Sequence, residues 1–397
     1  MNNKIIKIVY EFMLFLLICW GGHAWFTWSL DELPGYTSIV PLVVIALIAF
    51  LYKRIYGITV NADSKFKLLY LVFFVASCFP SWGITTPIIA FLRLYPVMVL
   101  LNDVGGIEYH ISFVSKILAT VLIPGIVFHL FIITTGIEIP SIPIQFGDLE
   151  TNYSYLFWNY GFMIRHIDFA QDEFRFQSVF LEPGYMGTLL SFLLYALRYD
   201  VKKWYVQVIL VALALSFSLA GYVTSAIGYT LYLFSQGLSS KRIVWATIFF
   251  CTIYIGSVSY NNGDNFVNNL IIERLQYDSE KGISGNNRFS DYTEVLFYDA
   301  LVSGQLFLGK ENIDTEDLFG AGYMRFLLTN GIFSALMYLL FYISMGKYAA
   351  NRRYANGLVF LIVITFVQAG YPGSFSWIVP FAMGVVNDRF NQFRLAV

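Results

Sequence analysis

Residues 175–203 read RFQSVFLEPGYMGTLLSFLLYALRYDVKK. The run 183–197 contains no charged residue, whereas Glu182 precedes it and Arg198 follows it. Pro183 favours a helix start at this point, because proline is tolerated in the first turn of a helix, where its missing N–H would have no intrahelical partner. The stretch therefore predicts an apolar helix with an acidic residue at its start and a basic end.

The composition of the whole chain is that of a membrane protein. Its 397 residues are 57% hydrophobic and only 13% charged, whereas soluble domains average about 25% charged residues. Three cysteines and four histidines are too few and too scattered for a disulfide framework or a zinc site. We therefore expect one integral membrane domain, 1–397, without a zinc site. We also expect no cofactor and no nucleic-acid partner.

Apolar segments recur along the chain, about 12 in all if a span takes about 20 residues. They centre on residues 5–25, 38–52, 67–82, 84–101, 111–135, 184–199, 204–220, 222–238, 243–259, 326–346, 356–370 and 374–388. Two connections, 136–183 and 260–325, are long and polar. The predicted fold is an all-α polytopic membrane protein with two large extracytoplasmic loops that contain short amphipathic helices.

Charge asymmetry predicts the orientation of these spans. Basic residues in short loops stay cytoplasmic, and if the spans alternate, most lysines and arginines fall on one side and most acidic residues on the other. Both termini are then cytoplasmic and both long loops are extracytoplasmic. Because ATP and nucleotide sugars are absent outside the inner membrane, an enzyme there needs a substrate that is already activated on a lipid or a chain.

The first long loop carries aromatic and charged side chains. Its aromatic run, 153–160, predicts a helix lying in the membrane interface, whose rings form an aromatic belt or stack on sugars. Arg165 and Arg175 could each form an ion pair with acidic residues of the same loop. The guanidinium of Arg175 also suits a phosphate. Glu182 at a helix start is either a general base in partly apolar surroundings or an ordinary helix cap.

The second long loop adds two more arginines. Arg288 begins a segment with apolar residues at helical spacing, which predicts an amphipathic helix. QLFLGK at 305–310 predicts a short strand. Arg325 lies at the extracytoplasmic end of the tenth predicted span, against the charge trend, so it either has a function there or reaches headgroup phosphates.

Two motifs resemble those of a known family. The RF-x-S-x-F-x-EPG-x-x-G stretch at 175–187 and the D-x-x-G-x-G-Y-x-R-x-L-x-x-x-G-I stretch at 317–332 are similar to motifs of Wzy-type O-antigen or capsular polysaccharide polymerases, relatives of the O-antigen ligases. The resemblance implies a multi-span glycosyltransferase of the GT-C type in the bacterial inner membrane. Such an enzyme acts on undecaprenyl-pyrophosphate-linked oligosaccharides at the periplasmic face and needs no metal or nucleotide.

The same resemblance implies a reaction and its residues. A polymerase transfers the growing glycan from undecaprenyl pyrophosphate to the non-reducing-end sugar of a new lipid-linked repeat unit. The expected partners are this oligosaccharide, membrane lipid and a chain-length regulator protein. The catalytic residues expected are Arg175, Glu182, Arg288 and Arg325, and the substrate-binding residues are Arg165, Gly184, Tyr185, Gly187 and Tyr323.

Three alternatives remain open from the sequence. An O-antigen ligase would carry a histidine near the end of the second loop, where this chain has Tyr323 and Arg325. A metal-dependent GT-C enzyme could use the carboxylates at 31–32, since hard cations prefer oxygen ligands. A lipid-linked oligosaccharide flippase would need charges within its spans, for which Arg93, Glu11 and His129 are the candidates. Separately, the small residues of 213–234 predict a close contact between two helices.

Overall fold

The computed structural model describes residues 3–31, 39–60, 64–78, 83, 85–137, 139–147, 155–167, 175–237, 255–256, 259–260, 268, 277–278, 282–283, 291–310 and 322–396. Its helices are α1 (Asn3–Gly21), α2 (Trp28–Asp31), α3 (Ile39–Tyr56), α4 (Ser64–Ser77), α5 (Thr86–Asn102), α6 (Ile107–Thr135), α7 (Pro183–Ala196), α8 (Trp204–Leu215), α9 (Leu219–Ser235), α10 (Asp291–Val302), α11 (Gly322–Gly346), α12 (Arg352–Ala369) and α13 (Phe375–Ala396). Single 3₁₀ turns lie at Trp25–Thr27 and Gln305–Phe307. Its strands are β1 (Ile142–Phe146), β2 (Tyr155–Asn159), β3 (Ile164–His166), β4 (Tyr277–Asp278) and β5 (Gly282–Ile283), and β4 and β5 pair antiparallel.

The helix α7 lies at the centre of the fold. Every residue of α7 except Tyr185 is buried, which explains its uncharged sequence, because a helix that is apolar on all sides is a core helix. Two reciprocal hydrogen bonds join it to α12: the Tyr195 hydroxyl donates to the Tyr354 carbonyl at 3.1 Å, and the Tyr354 hydroxyl donates to the Tyr195 carbonyl at 3.0 Å. Its start at Pro183 matches the sequence prediction.

The close helix contact that the small residues predict is present between α7 and α9. A Cβ on Gly187 would lie 3.1 Å from the Cα of Gly221 and 3.0 Å from the Cβ of Ser218. The Ser191 hydroxyl also donates to the Gly221 carbonyl at 2.9 Å. The two backbones therefore touch, and any side chain at Gly187 would push α9 away.

The basic helix ends lie together at one end of the helix bundle. The Tyr56 hydroxyl at the end of α3 donates to the Asn3 carbonyl at the start of α1. Arg394 at the end of α13 lies 3.8 Å from Glu108 at the start of α6. Farther up α13, Asp388 accepts a 3.0 Å hydrogen bond from Arg198, which follows α7. We call this the basic end of the bundle.

Helices lie at each predicted span except 243–259, most of which is outside the described residues. Among the described residues, three helices are long and apolar enough to cross a membrane: α3, α6 and α11. Several of the other helices are too short to cross. The helix α4, for example, has 14 residues. At 1.5 Å per residue it is about 21 Å long, whereas the hydrocarbon core is about 30 Å thick. The chain is thus a mostly helical membrane protein, and the prediction of about 12 spans is not confirmed.

The first long loop differs from the prediction. The aromatic run expected to form an interfacial helix instead forms β2, the middle strand of the antiparallel sheet β1-β2-β3. The side chains alternate, since Phe157 is 1% exposed and its neighbour Trp158 is 38% exposed. Aromatic residues fit a half-buried strand well, and cross-strand bonds satisfy their backbone amides. The interfacial-helix prediction is therefore wrong.

The second long loop is predicted correctly in part. A helix, α10, lies within the expected amphipathic segment, although Arg288 is outside the described residues. QLFLGK forms a 3₁₀ turn and not a strand, because Gly304 adopts a left-handed conformation (φ 76°) and Leu306 turns inward onto Ala300 and Leu328. This turn packs against a break in α11, where Gly331 has φ 81°.

Candidate active site

The segment from Arg175 to Glu182 is held by backbone hydrogen bonds on three sides. Its partners are the turn between α8 and α9, the strand β3 and the segment that follows α1. The bonds run from Phe176 N–H to the Leu215 carbonyl (3.0 Å), from Ile164 N–H to the Ser178 carbonyl (2.8 Å), from Trp25 N–H to the Val179 carbonyl (2.9 Å) and from Leu181 N–H to the His23 carbonyl (3.1 Å). Both charged residues thus stand on a fixed backbone.

Glu182 is the N-cap residue of the central helix. Its backbone is extended (φ −141°, ψ 150°), and its carbonyl accepts the Met186 N–H at 3.2 Å. Its carboxylate does not accept the capping hydrogen bond from the first turn of α7. The residue is half-buried. The position is that of a cap, but the side-chain bond that defines a cap is not formed.

Arg175 lies half-buried beside the connection between α8 and α9. Its charge is close enough to act on the hydroxyl of Tyr222 in the first turn of α9, and that hydroxyl donates to the Ala214 carbonyl. The acidic residues 172–173, which the sequence offers as ion-pair partners, lie outside the described residues. Arg175 therefore lies near the N-terminal ends of α7 and α9.

An aromatic wall borders Glu182. A small cluster consists of Trp28, Phe157, Ile164 and Leu181, with Tyr185 packed against it. The ring of Tyr185 meets that of His23 edge-on at 5.3 Å. The sheet of the first loop is thereby fixed to the start of α7, and Tyr185, one of the partly buried members of this wall, follows Glu182 by three residues.

Three other predicted substrate-binding residues have clear positions. Gly184 and Gly187 are buried in α7, and the backbone at Gly187 is covered by Gly221. Arg165 is half-buried in β3 opposite Trp158. The neighbouring His166 ring packs edge-on against Phe157 at 4.9 Å.

Arg325 and Tyr323 lie in the first turn of α11. That turn begins at Gly322, whose backbone packs directly on Gly370 at the end of α12. The Tyr323 ring meets Phe297 of α10 edge-on at 6.2 Å, and the Arg325 carbonyl accepts the Thr329 hydroxyl at 2.9 Å. Arg325 is half-buried.

A recess of about 210 Å³ lies between α10, the 3₁₀ turn and α11. Its polar lining comes from Asp299, Ser303, Gln305 and Lys310, over apolar side chains that include Leu328. The Lys310 N–H donates to the Leu328 carbonyl at 2.8 Å. Leu328 follows Arg325 by three residues, so the two lie on the same face of α11.

Arg175 and Arg325 lie at the same end of the bundle, opposite the basic end. Contacts connect them in sequence: Gly322 packs on Gly370, the Ser374 hydroxyl donates to the Gly21 carbonyl at 2.8 Å, and the segment after α1 bonds to 175–182. Arg175, Glu182 and Arg325 thus share this end. Arg288 lies outside the described residues.

The charges considered for a flippase have internal partners in the described part of the chain. Arg93 donates to the Gly373 carbonyl at 2.9 Å and lies over the Phe375 ring. Glu11 bonds to His110, and His129 packs on Phe176 with ring centroids 5.3 Å apart. These groups join helices, so their burial has a structural reason.

No group of three histidine, cysteine or carboxylate residues able to hold a metal ion occurs among the residues that the structure describes. The side chains at 31–32, proposed from the sequence as metal ligands, are outside that part.

Sequence reasoning missed the recess. The signal was present, because Asp299, Gln305 and Lys310 flank the two turn glycines 304 and 309. It could be interpreted only once α10 and α11 were known to meet there.

Comparison of the chain with protein-family models, with curated proteins and with solved structures finds no match. The fold and the site by themselves define a helical membrane protein with a polar, arginine-containing site at one end of its bundle, beside the start of a buried central helix.

Proposed function

We propose that this protein is a polysaccharide polymerase of the Wzy type, a GT-C glycosyltransferase that extends lipid-pyrophosphate-linked glycans at the periplasmic face of the bacterial inner membrane. One observation carries the proposal: Arg175 and Glu182 stand on one fixed segment at the mouth of the central helix, at the same end of the bundle as Arg325. This end lies opposite the basic end, which the positive-inside rule assigns to the cytoplasm.

The reaction joins a sugar hydroxyl to an anomeric carbon. The acceptor oxygen attacks the anomeric carbon of the growing chain, and the bond from that carbon to the pyrophosphate oxygen breaks. The hydroxyl proton passes to the Glu182 carboxylate, and the bonding electron pair leaves with the pyrophosphate. A single displacement of this kind inverts the anomeric configuration.

Arginines replace the divalent ion that other glycosyltransferases use. Arg175 and Arg325, with Arg288 from the second loop, are assigned to the negative charge that grows on the departing pyrophosphate, because a guanidinium keeps its charge and presents paired donors to phosphate. One preorganised donor of this kind contributes about 3–4 kcal/mol, or a hundred- to a thousand-fold in rate.

The remaining site groups are assigned to the sugars. Tyr185 stands beside Glu182 and offers a ring face to the acceptor. The recess beside Arg325 combines a carboxylate, an ammonium, an amide and a hydroxyl over an apolar floor, a lining that matches the hydroxyl groups and the apolar face of a sugar ring.

The proposal is tested by glycan chain length in cells that carry Arg175→Ala or Arg175→Lys in place of the wild-type chain. Both variants should reduce the ladder of long glycans to single repeats, because lysine lacks the paired donors of arginine. Arg353→Ala is the matched control, since Arg353 is an exposed arginine at the basic end. Long chains in both Arg175 variants would refute the role of this arginine.

Deletion of the gene separates polymerase from ligase. A polymerase deletion leaves single repeats attached to the acceptor, whereas a ligase deletion leaves an intact acceptor without polymer and accumulates lipid-linked chains. The second pattern would overturn the proposed reaction.

A further inference from the structure

A buried group of charged side chains joins four elements near the basic end of the bundle. His110 of α6 lies between two carboxylates: its Nδ1 is 3.1 Å from Glu11 Oε1 in α1, and its Nε2 is 2.8 Å from Asp103 Oδ2 in the turn between α5 and α6. The side chains of His110, Glu11 and Asp103 are 0%, 4% and 12% exposed. Tyr52 of α3 donates its hydroxyl proton to the same Asp103 oxygen at 2.6 Å.

Asp103 has acceptor bonds on both of its oxygens. Oδ2 faces the Tyr52 hydroxyl and His110, while Oδ1 accepts the Gly106 N–H at 2.9 Å. Burial by itself would raise the pKa of Asp103, but hydrogen bonds from His110, Tyr52 and the Gly106 amide outweigh burial and lower that pKa below its usual value. Asp103 is therefore an ionised carboxylate at neutral pH.

Proton counting then constrains His110. An ionised carboxylate can only accept hydrogen bonds, and a neutral imidazole has a single N–H to donate. Donation to Asp103 uses Nε2, so the bond between Nδ1 and Glu11 needs a second proton, either on the imidazole or on Glu11. Lys7 lies 4.0 Å from Glu11 on the same helix, so the arrangement with the second proton on the imidazole sets two cations against two carboxylates.

We propose that His110 is held as an imidazolium between Glu11 and Asp103, and that this charged clamp fixes α1, α3 and α6 to the turn that follows α5. With Lys7 the four groups sum to zero net charge, which lowers the cost of burying them together. Among the described residues, two tyrosines also face the imidazole: Tyr10, whose ring meets it edge-on at 5.5 Å, and Tyr52, whose hydroxyl lies 3.1 Å from Nε2 while it donates to Asp103. The clamp is independent of the proposed glycosyl transfer.

The clamp makes the packing of this end sensitive to pH in both directions. In acid the carboxylates take up protons and stop attracting the imidazolium. In base His110 loses a proton, and one ring nitrogen then faces a carboxylate with no hydrogen between them. The change in acid removes the charge attraction, and the change in base leaves a buried ring nitrogen without a hydrogen-bond partner, which is costly in a low-dielectric interior.

Nitrogen NMR of the full-length protein in detergent, with ¹⁵N-labelled histidine, tests the proposal directly. The His110 signals, identified by their loss in His110→Gln, should show protons on both ring nitrogens at about pH 7.5, one unit above the usual imidazole value of about 6.5. A single protonated nitrogen at that pH would overturn the proposal. This measurement uses the wild-type chain and does not depend on the folding of a variant.

The Glu11→Gln variant separates the two proton arrangements. An amide imitates a protonated carboxyl group, so Glu11→Gln should leave the thermal midpoint unchanged if Glu11 carries the proton. If His110 carries it, the midpoint falls by several degrees and the second proton leaves the ring. His129→Gln is the control, because His129 is buried in the same helix against Phe176, and it should leave the His110 signals in place. An unchanged midpoint in Glu11→Gln contradicts the clamp.

Discussion

Replacing Glu182 by glutamine distinguishes a general base from a helix cap. The substitution keeps the size of the side chain and removes its ability to take up a proton. The structure places Glu182 at the N-cap of α7 without the side-chain capping bond. We therefore expect Glu182→Gln to abolish most chain extension without the loss of a capping bond.

The two roles predict effects of different size. Loss of a general base costs about a hundred- to ten-thousand-fold in rate. Loss of a capping side chain costs about 0.5–2 kcal/mol of stability and has no direct effect on the reaction. Glu182→Asp separates them further, because aspartate is among the best N-caps, whereas a carboxylate displaced by about 1 Å can lose about a hundredfold in rate. A base at this position predicts a stable but slow Glu182→Asp enzyme.

The assay pairs two measurements on each purified variant: the rate of chain extension on lipid-linked repeat units, and the thermal unfolding midpoint in detergent. Thr188→Ser is the control for a conservative substitution elsewhere in α7. Among the described contacts, the Thr188 hydroxyl bonds only to the Gly184 carbonyl of its own helix. Two results would refute the general-base role. One is a Glu182→Gln variant that extends chains at the wild-type rate, and the other is a Glu182→Asp variant that is both stabilised and fully active.

Four further outcomes follow from the geometry. Arg325→Ala should slow chain extension about a hundred- to a thousand-fold with an unchanged unfolding midpoint. Chain extension by this variant at the wild-type rate would show that Arg325 is not part of the site. Gly187→Ala should destabilise the protein by about 1–3 kcal/mol through overpacking against Gly221, whereas Gly105→Ala, where a Cβ meets nothing, should not. Asp388→Asn removes the charge that pairs with Arg198 and leaves one oxygen for two donors, Arg198 and the Asn351 N–H. It should cost about 3 kcal/mol, the lower end for a buried pair, because Arg198 is 20% exposed; a change below about 0.5 kcal/mol, typical of a surface substitution, contradicts this assignment. Because the pKa of Asp103 is lowered in the fold, its stabilising contribution is complete above the unfolded value of about 3.9 and disappears as the pH falls through the folded value, so the midpoints of Asp103→Asn and wild type should differ at pH 7 and converge in acid.

Hydropathy predicted the helices well because burial in lipid or in a helical core demands the same apolar residues. The start of α7 was predicted from Pro183 alone, and the close packing of α7 on α9 from small residues such as Gly221. These features are local in sequence, and each has one dominant physical cause.

The sheet of the first loop could not be predicted in the same way. Its aromatic residues fit an interfacial helix and a half-buried strand equally well, and the choice depends on cross-strand partners such as Ile144 for Phe157. The burial of Phe157 follows from Trp28 and Leu181, which lie far away in the chain. A local pattern contains no information about such partners.

Long-range charge pairs were missed for the same reason. Glu11 and His110 are 99 residues apart, and Arg198 and Asp388 are 190 residues apart. Taken separately, Glu11 suggested a transport function, and His110, at the predicted cytoplasmic start of a span, was only excluded from periplasmic chemistry. Only the folded chain shows that His110 lies 3.1 Å from Glu11 and that Arg198 lies 3.0 Å from Asp388.

Chain extension by the purified protein, reconstituted in lipid with undecaprenyl-pyrophosphate-linked repeat units and a metal chelator, tests the proposed polymerase most directly. We predict that the wild-type chain builds long glycans with inverted anomeric linkages under these conditions and that Glu182→Gln and Arg175→Ala do not. Movement of the lipid-linked units across the membrane without any new glycosidic bond would contradict the account.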